Sequence, residues 1–363
     1  MSYCNICGDN FFNKKLFNKF TFLNKKFIRH SDFNNLKYTP RFIKCSSCQV
    51  LINLSLFKKN NFFFGKSYIN SNQSDLYTSY KKNKIKKSEF QANFITKKIK
   101  LKKESRILDI GCNKGDLLFY LKNKIKASFT YGFDINKNFI KFLKKKKIIF
   151  YNPYKNHRLT FDLIILSHSL FYIKNQQKLF HNINLILKKN GRLFIEIPSI
   201  KKNSLYIVFG DQFYIFTENS LKNHLLKNNF TTKVFNIKGY ENTMLISKKI
   251  TKLTNRSFKK DFIIEKSLHK LFLLKKKLLN LKYKKINILG TTSKAAFVHN
   301  FLGKKTKSFL DENINLKRKR FRNIIIKHPV SLDNKSVTFL PYNKNSSIVK
   351  KFKQIYKGKF ISI

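Results

Sequence analysis

The sequence has no tryptophan, only 11 glycines and 5 prolines, and 18 acidic residues against 77 basic ones. So little glycine and proline excludes a collagen-like or Pro/Gly-rich low-complexity chain. No apolar run approaches the ~18 residues that a membrane helix needs, so no helical membrane span is expected. The start, Met1-Ser-Tyr-Cys4, lacks the basic and then apolar regions of a signal peptide. A soluble cytoplasmic protein is therefore expected. Hydrophobic residues still make up 42% of the 363 positions and aromatics 15%, enough for packed cores in two or three domains.

The shortage of acid leaves a net charge of +59, which invites a nucleic-acid reading. Three features weigh against it. Only nine of the 77 basic residues are arginine, whose planar fork is the usual reader of phosphates and bases. The lysines are spread over nearly every segment instead of one patch. Lys, Asn, Ile and Phe abound together, which is the signature of AT-rich codons. Compositional drift is the simpler account, and a nucleic-acid partner stays open as the less favoured one. The same field would steer any anionic small-molecule substrate inward.

Four of the five cysteines form two pairs, Cys4-x-x-Cys7 and Cys45-x-x-Cys48. Each turn presents two thiolates to one ion, and two turns complete a tetrahedron, so the spacing predicts a Cys4 zinc site. Four thiolates close the coordination shell, which makes the expected role structural. Gly8 follows the first pair, where a knuckle turn calls for positive φ. Cys112 lies in a different motif and is expected to pack.

Ser105-Arg-Ile-Leu-Asp-Ile-Gly-Cys-Asn-Lys-Gly-Asp116 is the most informative stretch. Residues 106–110 read as a buried parallel strand, followed by a loop with Gly111 and Gly115 and a helix from Asp116. The glycines allow a sharp turn and a close approach to a ligand. A second strand, 128–134, ends on Asp134, where an acid accepts both hydroxyls of a ribose. The Gly-x-Gly-x-x-Gly of a nicotinamide-binding domain is absent. Strands are then expected at 147–151, 161–166 and 191–198, with helices at 179–188 and 217–227 and a hairpin at 231–237 and 243–247. Alternation of this kind builds an α/β sheet of seven strands. His168 and Glu196 fall at carboxyl ends of strands, where open α/β sheets place their chemistry. His168 serves there as a base or as a wall of the site; Glu196 holds a ligand or ends the sheet as a satisfied polar group.

The remaining chain divides around this sheet. The expected partition is a zinc-binding module at 1–64, a linker and basic helix at 65–104, the sheet domain at 105–250, and a helix plus small α/β domain at 251–363. The 65–104 segment reads equally as a cofactor lid and as a solvated linker. In the last domain, Gly290-Thr-Thr-Ser-Lys294 opens a helix without a dinucleotide fingerprint.

Asp109-Ile-Gly-Cys-Asn-Lys-Gly115 and Asp134 resemble motifs I and II of class I S-adenosylmethionine-dependent methyltransferases. The usual loop is Asp-x-Gly-x-Gly-x-Gly; Asn113 replaces its middle glycine, as in one branch of these enzymes. Together with the cysteine pairs, Glu196-Ile-Pro198 and the final α/β domain, the chain resembles the sugar C-methyltransferase family along nearly its whole length. The resemblance implies S-adenosylmethionine held by Asp109, Gly111, Cys112, Asn113, Gly115, Asp134, Ile135, Asn152 and Ser167. It also implies a structural Zn2+ and a nucleotide-linked sugar as acceptor, with Glu196 and Gln212 on the substrate. One departure matters. Family members carry a Tyr-His-Glu-His-like stretch whose His serves as base or substrate ligand, and here Gln212 stands where His is expected. Gln cannot take a proton, which leaves O-methylation assisted by Asp211, Tyr214 or His168, C-methylation with another base, or lost activity. Two other readings of the scaffold are a zinc-containing RNA-binding protein and an RNA or protein methyltransferase. The Asn/Asp-Pro-Pro-aromatic tetrapeptide of many amino-methylating enzymes is replaced by Ser167-His-Ser-Leu170, which disfavours base-amino methylation.

Overall fold

The computed structural model describes residues 4–9, 12–13, 40–57, 77–80, 83–155, 157–250, 261–342 and 344–363. They form two compact units: described residues within 1–18, 41–206 and 212–264 make the first, and those within 19–40, 207–211 and 265–363 the second. No helix among the described residues is long and apolar enough to cross a membrane.

The first unit opens with β1 (Phe12–Asn13), β2 (Phe42–Cys45), β3 (Leu51–Asn53) and the short helix α1 (Leu54–Phe57). A hairpin follows, β4 (Tyr77–Tyr80) with β5 (Asn83–Lys86), and then helix α2 (Lys87–Lys98). The basic helix expected within 65–104 therefore starts at Lys87, because 83–86 pair as a strand. Residues 65–76 of the expected linker lie outside the described residues.

Next come β6 (Arg106–Ile110), α3 (Asp116–Ile125), β7 (Phe129–Phe133), α4 (Ile140–Lys145), β8 (Ile149–Phe150), β9 (Phe161–Ser167), α5 (Gln176–Ile186) and β10 (Leu187–Pro198). The unit continues with β11 (Tyr214–Ile215), α6 (Glu218–Lys227), β12 (Phe230–Phe235) and β13 (Asn242–Lys249). Seven strands join in the order β12-β13-β10-β9-β6-β7-β8. The pairs from β10 to β8 are parallel, while β13 runs antiparallel to both neighbours. β6 and β9 are central and mostly buried, with apolar runs that suit strands covered on both faces. On one face Phe90, Ala92 and Ile95 of α2 and Leu117, Leu118 and Leu121 of α3 pack with Ile107, Leu163 and Phe194. Burying one such Leu, Ile or Phe stabilises by about 1.5–3 kcal/mol, so this layer fixes the strand ends that carry polar groups.

Two details depart from the sequence expectation. Helix α5 passes into β10 without a loop: Leu187 already pairs with Phe161, and a register shift precedes Arg192. Lys188 is held there by Asp162 at 2.9 Å, and Asp162 also accepts the Arg106 N–H at 2.9 Å. In addition, β11 pairs antiparallel with β3, giving a four-stranded sheet β1-β2-β3-β11. The cysteine segment thus shares its sheet with residues far along the chain, inside one compact unit. Thr217 caps α6, accepting the Ser220 N–H while Ser220 Oγ accepts the Thr217 N–H.

Helix α7 (Ile263–Leu279) leads into β14 (Ile286–Leu289), α8 (Ser293–Leu302), β15 (Thr306–Leu310), β16 (Arg320–Phe321), β17 (Ile324–Lys327), β18 (Val337–Leu340), α9 (Ser347–Ile355) and β19 (Lys359–Ser362). The second unit's sheet has the order β16-β17-β15-β14-β18-β19, parallel except for the edge pair β16·β17. Val349 and Phe352 of α9 pack on Leu289, Leu310 and Leu340.

Candidate active site and metal centre

The carboxyl end of β6 enters a loop of three left-handed residues: Gly111 (φ +87°), Asn113 (φ +51°) and Gly115 (φ +75°). Asn tolerates this region better than other non-glycine residues, which explains how it replaces a glycine. The Gly111 and Cys112 N–H groups both donate to Phe133 O, at 2.7 and 3.0 Å, tying the loop to the end of β7. A Cβ on Gly111 would lie 2.4 Å from Ser169 Cβ. Ser169 is itself fixed, its hydroxyl donating to Ile110 O at 2.6 Å.

Two carboxyls face this loop, Asp109 buried and Asp134 partly buried. Asp134 Oδ2 accepts the Asn113 N–H and Oδ1 the Asn136 N–H, both at 2.9 Å. Burial pushes the Asp134 carboxyl up, and those two N–H donors oppose the push. Burial, and then the charge of Asp134, push Asp109 up to about 8. Asp109 Oδ1 and Asn113 Oδ1 are buried without a hydrogen-bond partner. Orphaned acceptors beside a glycine cradle suit a ligand that brings its own donors. Ile135, next to Asp134, is 61% exposed. Asn152, after β8, accepts the Tyr154 N–H at 2.9 Å, which shapes the turn there.

A second polar cluster lies at the ends of β9 and β10. Glu196 is fully buried. Its Oε1 accepts from Tyr240 Oη at 2.7 Å and Asn242 Nδ2 at 2.8 Å, and meets His168 Nε2 at 2.7 Å. Its Oε2 accepts from Gln91 Nε2 at 2.8 Å, and Lys87 Nζ stands 3.4 Å from Oε1. Burial alone would raise the Glu196 carboxyl, but Lys87, His168 and Gln91 outweigh it and hold the carboxyl at about 2. His168 has φ +56°, a strained backbone for this residue. Its ring is pushed down by burial and by Lys87, against the pull of Glu196. Gln91 also donates to Ser167 Oγ at 2.8 Å, so α2 links the two strand ends.

The expected site residues thus separate into groups. Asp109, Gly111, Cys112, Asn113, Gly115, Asp134 and Ile135 gather at the β6–β7 corner, while Ser167, His168 and Glu196 gather around α2. Tyr214 is fully buried in β11, its hydroxyl donating to Lys174 O at 2.8 Å. Gln212 is buried with Nε2 lacking a partner, and Asp211 is buried within the residues assigned to the second unit. Sequence reasoning missed Lys87, Gln91, Tyr240 and Asn242. The i, i+4 spacing of Lys87 and Gln91 and the i, i+2 spacing of Tyr240 and Asn242 were the available signals.

Cys4, Cys7, Cys45 and Cys48 bring their sulfurs within 4.8 Å of one another. Cys4 and Cys48 lie 3.6 Å apart and Cys7 and Cys45 3.4 Å. Zn–S bonds of about 2.3 Å in a tetrahedron put sulfurs roughly 3.8 Å apart, so the four thiols fit a zinc ion. The two turns repeat one hydrogen-bond pattern: Gly8 N–H to Cys4 O and Cys4 N–H to Asp9 O, then Gln49 N–H to Cys45 O and Cys45 N–H to Val50 O. Gly8 and Gln49 occupy the same left-handed position, at φ +78° and +65°.

The sheet order with its antiparallel last pair, and the glycine loop facing an acid on the next strand, define an α/β architecture of the class I methyltransferase type. Residues 85–233 match the model of a family described as a methyltransferase domain, so the chain carries such a domain there. A protein named "Putative methyltransferase 235L", from Invertebrate iridescent virus 6, is 26% identical over 142 residues, which are 36% of this chain and 51% of that protein. The chain thus matches about half the length of this relative. Among solved structures, a SAM-dependent methyltransferase from Archaeoglobus fulgidus is 20% identical, covering 45% of this chain and 95% of that one with a TM-score of 0.37. An O-methyltransferase family protein from Burkholderia thailandensis is 13% identical, covering 45% and 56% with a TM-score of 0.38.

Proposed function

We propose that this chain is an S-adenosylmethionine-dependent methyltransferase acting on a small molecule, with a nucleotide-linked sugar or related glycan precursor as the favoured acceptor. The observation that carries the reading is the β6–β7 corner: a glycine loop pinned to Phe133 O, with the Asp134 carboxylate at its mouth and unpartnered acceptors on Asp109 and Asn113. Asp134 would take the ribose hydroxyls, Ile135 and Asn152 would flank the base, and Gly111 and Gly115 would admit the backbone-close part of the cofactor. The bound cofactor supplies an activated methyl group. Alignment of the acceptor with that methyl does most of the catalytic work, so a protein can transfer it with little acid–base help. The net charge of +59 would draw in a phosphorylated acceptor. In this reading 1–64 is a zinc-binding module, 65–104 a linker and helix bordering the site, 105–250 the methyltransferase domain and 251–363 a helix with a small α/β domain.

Titration calorimetry of zinc-loaded protein with S-adenosylmethionine and S-adenosylhomocysteine tests the claim. Micromolar, one-to-one binding is expected, and folded protein that binds neither sinks the enzyme reading. For the cysteine site, elemental analysis should find one zinc per chain. Chelation should expose the β1–β3 amides to hydrogen exchange, since a structural zinc site stabilises its fold by several kcal/mol or more. Zinc-free protein with unchanged protection there would refute a metal role.

A further inference from the structure

The cluster around Glu196 has more order than cofactor binding requires. Five side chains, Lys87, Gln91, His168, Tyr240 and Asn242, converge on one fully buried carboxylate. Each of the three hydrogen-bonding partners other than His168 is a donor to it. The ionised carboxylate cannot donate, so the 2.7 Å contact requires the hydrogen on His168 Nε2. That fixes the neutral tautomer with its lone pair on Nδ1. Nδ1 makes no hydrogen bond among the described residues, and the side chain keeps 21% of its surface exposed. The ring is held by a strained strand-end backbone whose N–H donates to Glu196 O at 3.0 Å. A second contact on the ring is Phe171, edge-on at 6.2 Å. An imidazole oriented by a buried carboxylate through one nitrogen, and open at the other, is the arrangement of a general base.

We propose that His168 and Glu196 form a general-base dyad which takes the proton of a hydroxyl acceptor, making the chain an O-methyltransferase for an alcohol or phenol. The inference rests on the methyl-transfer reading above and narrows its substrate class. The acceptor oxygen forms the new C–O bond. The S–C bond of the sulfonium donor breaks, its electron pair passing to sulfur, which becomes a neutral thioether. The acceptor proton moves to His168 Nδ1, Glu196 stabilises the imidazolium, and the proton leaves to solvent with the product. A hydroxyl suits this base because its proton must be lost as oxygen attacks, whereas a neutral amine attacks without help. The cluster holds one cation, Lys87, and one anion, Glu196, so a neutral His168 leaves it balanced. Burial of Tyr240, and then the Glu196 charge, keep that phenol protonated as a donor.

The test is nitrogen NMR of the full-length, zinc-loaded protein labelled in histidine, with S-adenosylhomocysteine present. Near neutral pH, His168 should show a protonated Nε2 and a bare Nδ1. The charged and titratable groups that face this cluster are Lys87 of α2, Glu196 of β10, and Tyr206 and Tyr240. Glu196→Gln should lower the His168 titration midpoint and Lys87→Met should raise it, because each removed charge acts on the ring. Methyl glucoside, catechol and serine serve as hydroxyl probes, and at least one should shift Nδ1 while its O-methylated form does not. With that probe, His168→Gln should bind S-adenosylhomocysteine as wild type does but transfer radiolabelled methyl about 10²–10⁴-fold more slowly. A proton on Nδ1, no Nδ1 shift with any probe, or undiminished transfer by His168→Gln overturns the dyad. Failure of wild type to bind S-adenosylhomocysteine would instead count against the methyl-transfer reading, with the tautomer still reporting on the dyad.

Discussion

Each of the two units contains the same backbone corner, and they differ in what lies beneath it. In the first, Gly111 (φ +87°) follows β6 and its N–H donates to Phe133 O at 2.7 Å; in the second, Gly290 (φ +86°) follows β14 and donates to Leu310 O at 2.6 Å. Asp134 and Asp311 follow the next strand, and each accepts the N–H two residues on, from Asn136 and Asn313, at 2.9 Å. Each of those asparagines then caps a short 3-10 turn, accepting from Asn138 and Asn315 at 3.1 Å. The second oxygen is where they part. Asp134 Oδ2 takes a loop N–H, whereas Asp311 Oδ2 takes the hydroxyl of Thr291 at 2.8 Å. Two residues before the glycine stands Asp109 in the first unit and Ile288 in the second, both buried. The comparison teaches that a parallel strand, a left-handed glycine and an acid are a general way to turn a βαβ corner. Both corners leave a buried polar atom without a partner two residues after the glycine, Asn113 Oδ1 and Thr292 Oγ1, and the buried Asp109 with its unpartnered Oδ1 is what sets the first corner apart.

The largest expected effect comes from Asp109, because a carboxyl pushed up to about 8 holds a proton in the fold that the unfolded chain releases near pH 4. The folded state binds more protons between those values, so stability falls as pH rises from about 4 to about 8. Glu196, held at about 2, contributes stability that is present above its ordinary range and lost only as pH falls toward 2, outside this window. His224 of the same unit, whose ring is held by burial at about 3, gives the opposite slope up to its ordinary value near 6.5, so hydrogen exchange of the β6 and β14 amides should show the net fall in the first unit between about pH 6.5 and 8. Asp109→Asn should flatten it. A slope unchanged by that substitution would mean that Asp109 is ionised in the fold.

Next in size is the effect on cofactor binding. Hydrogen bonds from a ligand to a charged group contribute about 1.5–3 kcal/mol. Asp134→Asn should therefore weaken S-adenosylmethionine binding by roughly 10- to 150-fold, while Asp311→Asn leaves it within about twofold. Equal losses in calorimetry would break the distinction drawn between the corners.

The β6–β7 corner was readable in the sequence because all of its signals are local. A buried apolar run, two glycines and an acid 19 positions after the second one lie within one strand–helix–strand unit. The cysteine pairs were readable for the same reason, each Cys-x-x-Cys lying within four residues. The environment of Glu196 was not, because its donors come from positions 87, 91, 168, 240 and 242 and meet only when α2 packs on the sheet. Strand β11 escaped too: two residues, Tyr214 and Ile215, carry no periodicity, and their partners are Ile52 and Leu51. The start of β10 was misplaced because an apolar helix runs straight into an apolar strand at Leu187, with no glycine or proline between them.

The smallest expected difference between the corners, and the sharpest probe of their shared backbone, comes from a methyl group on each glycine. Forcing an alanine into left-handed φ costs about 1–2 kcal/mol at either position. At Gly290 the new Cβ would lie 3.6 Å from Tyr342 Oη, an ordinary contact, so little more is expected. At Gly111 it would meet Ser169 Cβ at 2.4 Å, and Ser169 is tied to Ile110 O. Overpacking of this kind adds about 1–3 kcal/mol. Gly111→Ala should therefore destabilise its unit by more than Gly290→Ala does its own, as read from hydrogen exchange of each sheet. Ser169→Gly removes the clashing carbon, so in that background the added penalty of Gly111→Ala, measured against Ser169→Gly alone, should drop to that of Gly290→Ala. If that added penalty is no smaller than in the parent chain, the left-handed backbone alone sets the cost and the two corners are equivalent at this position.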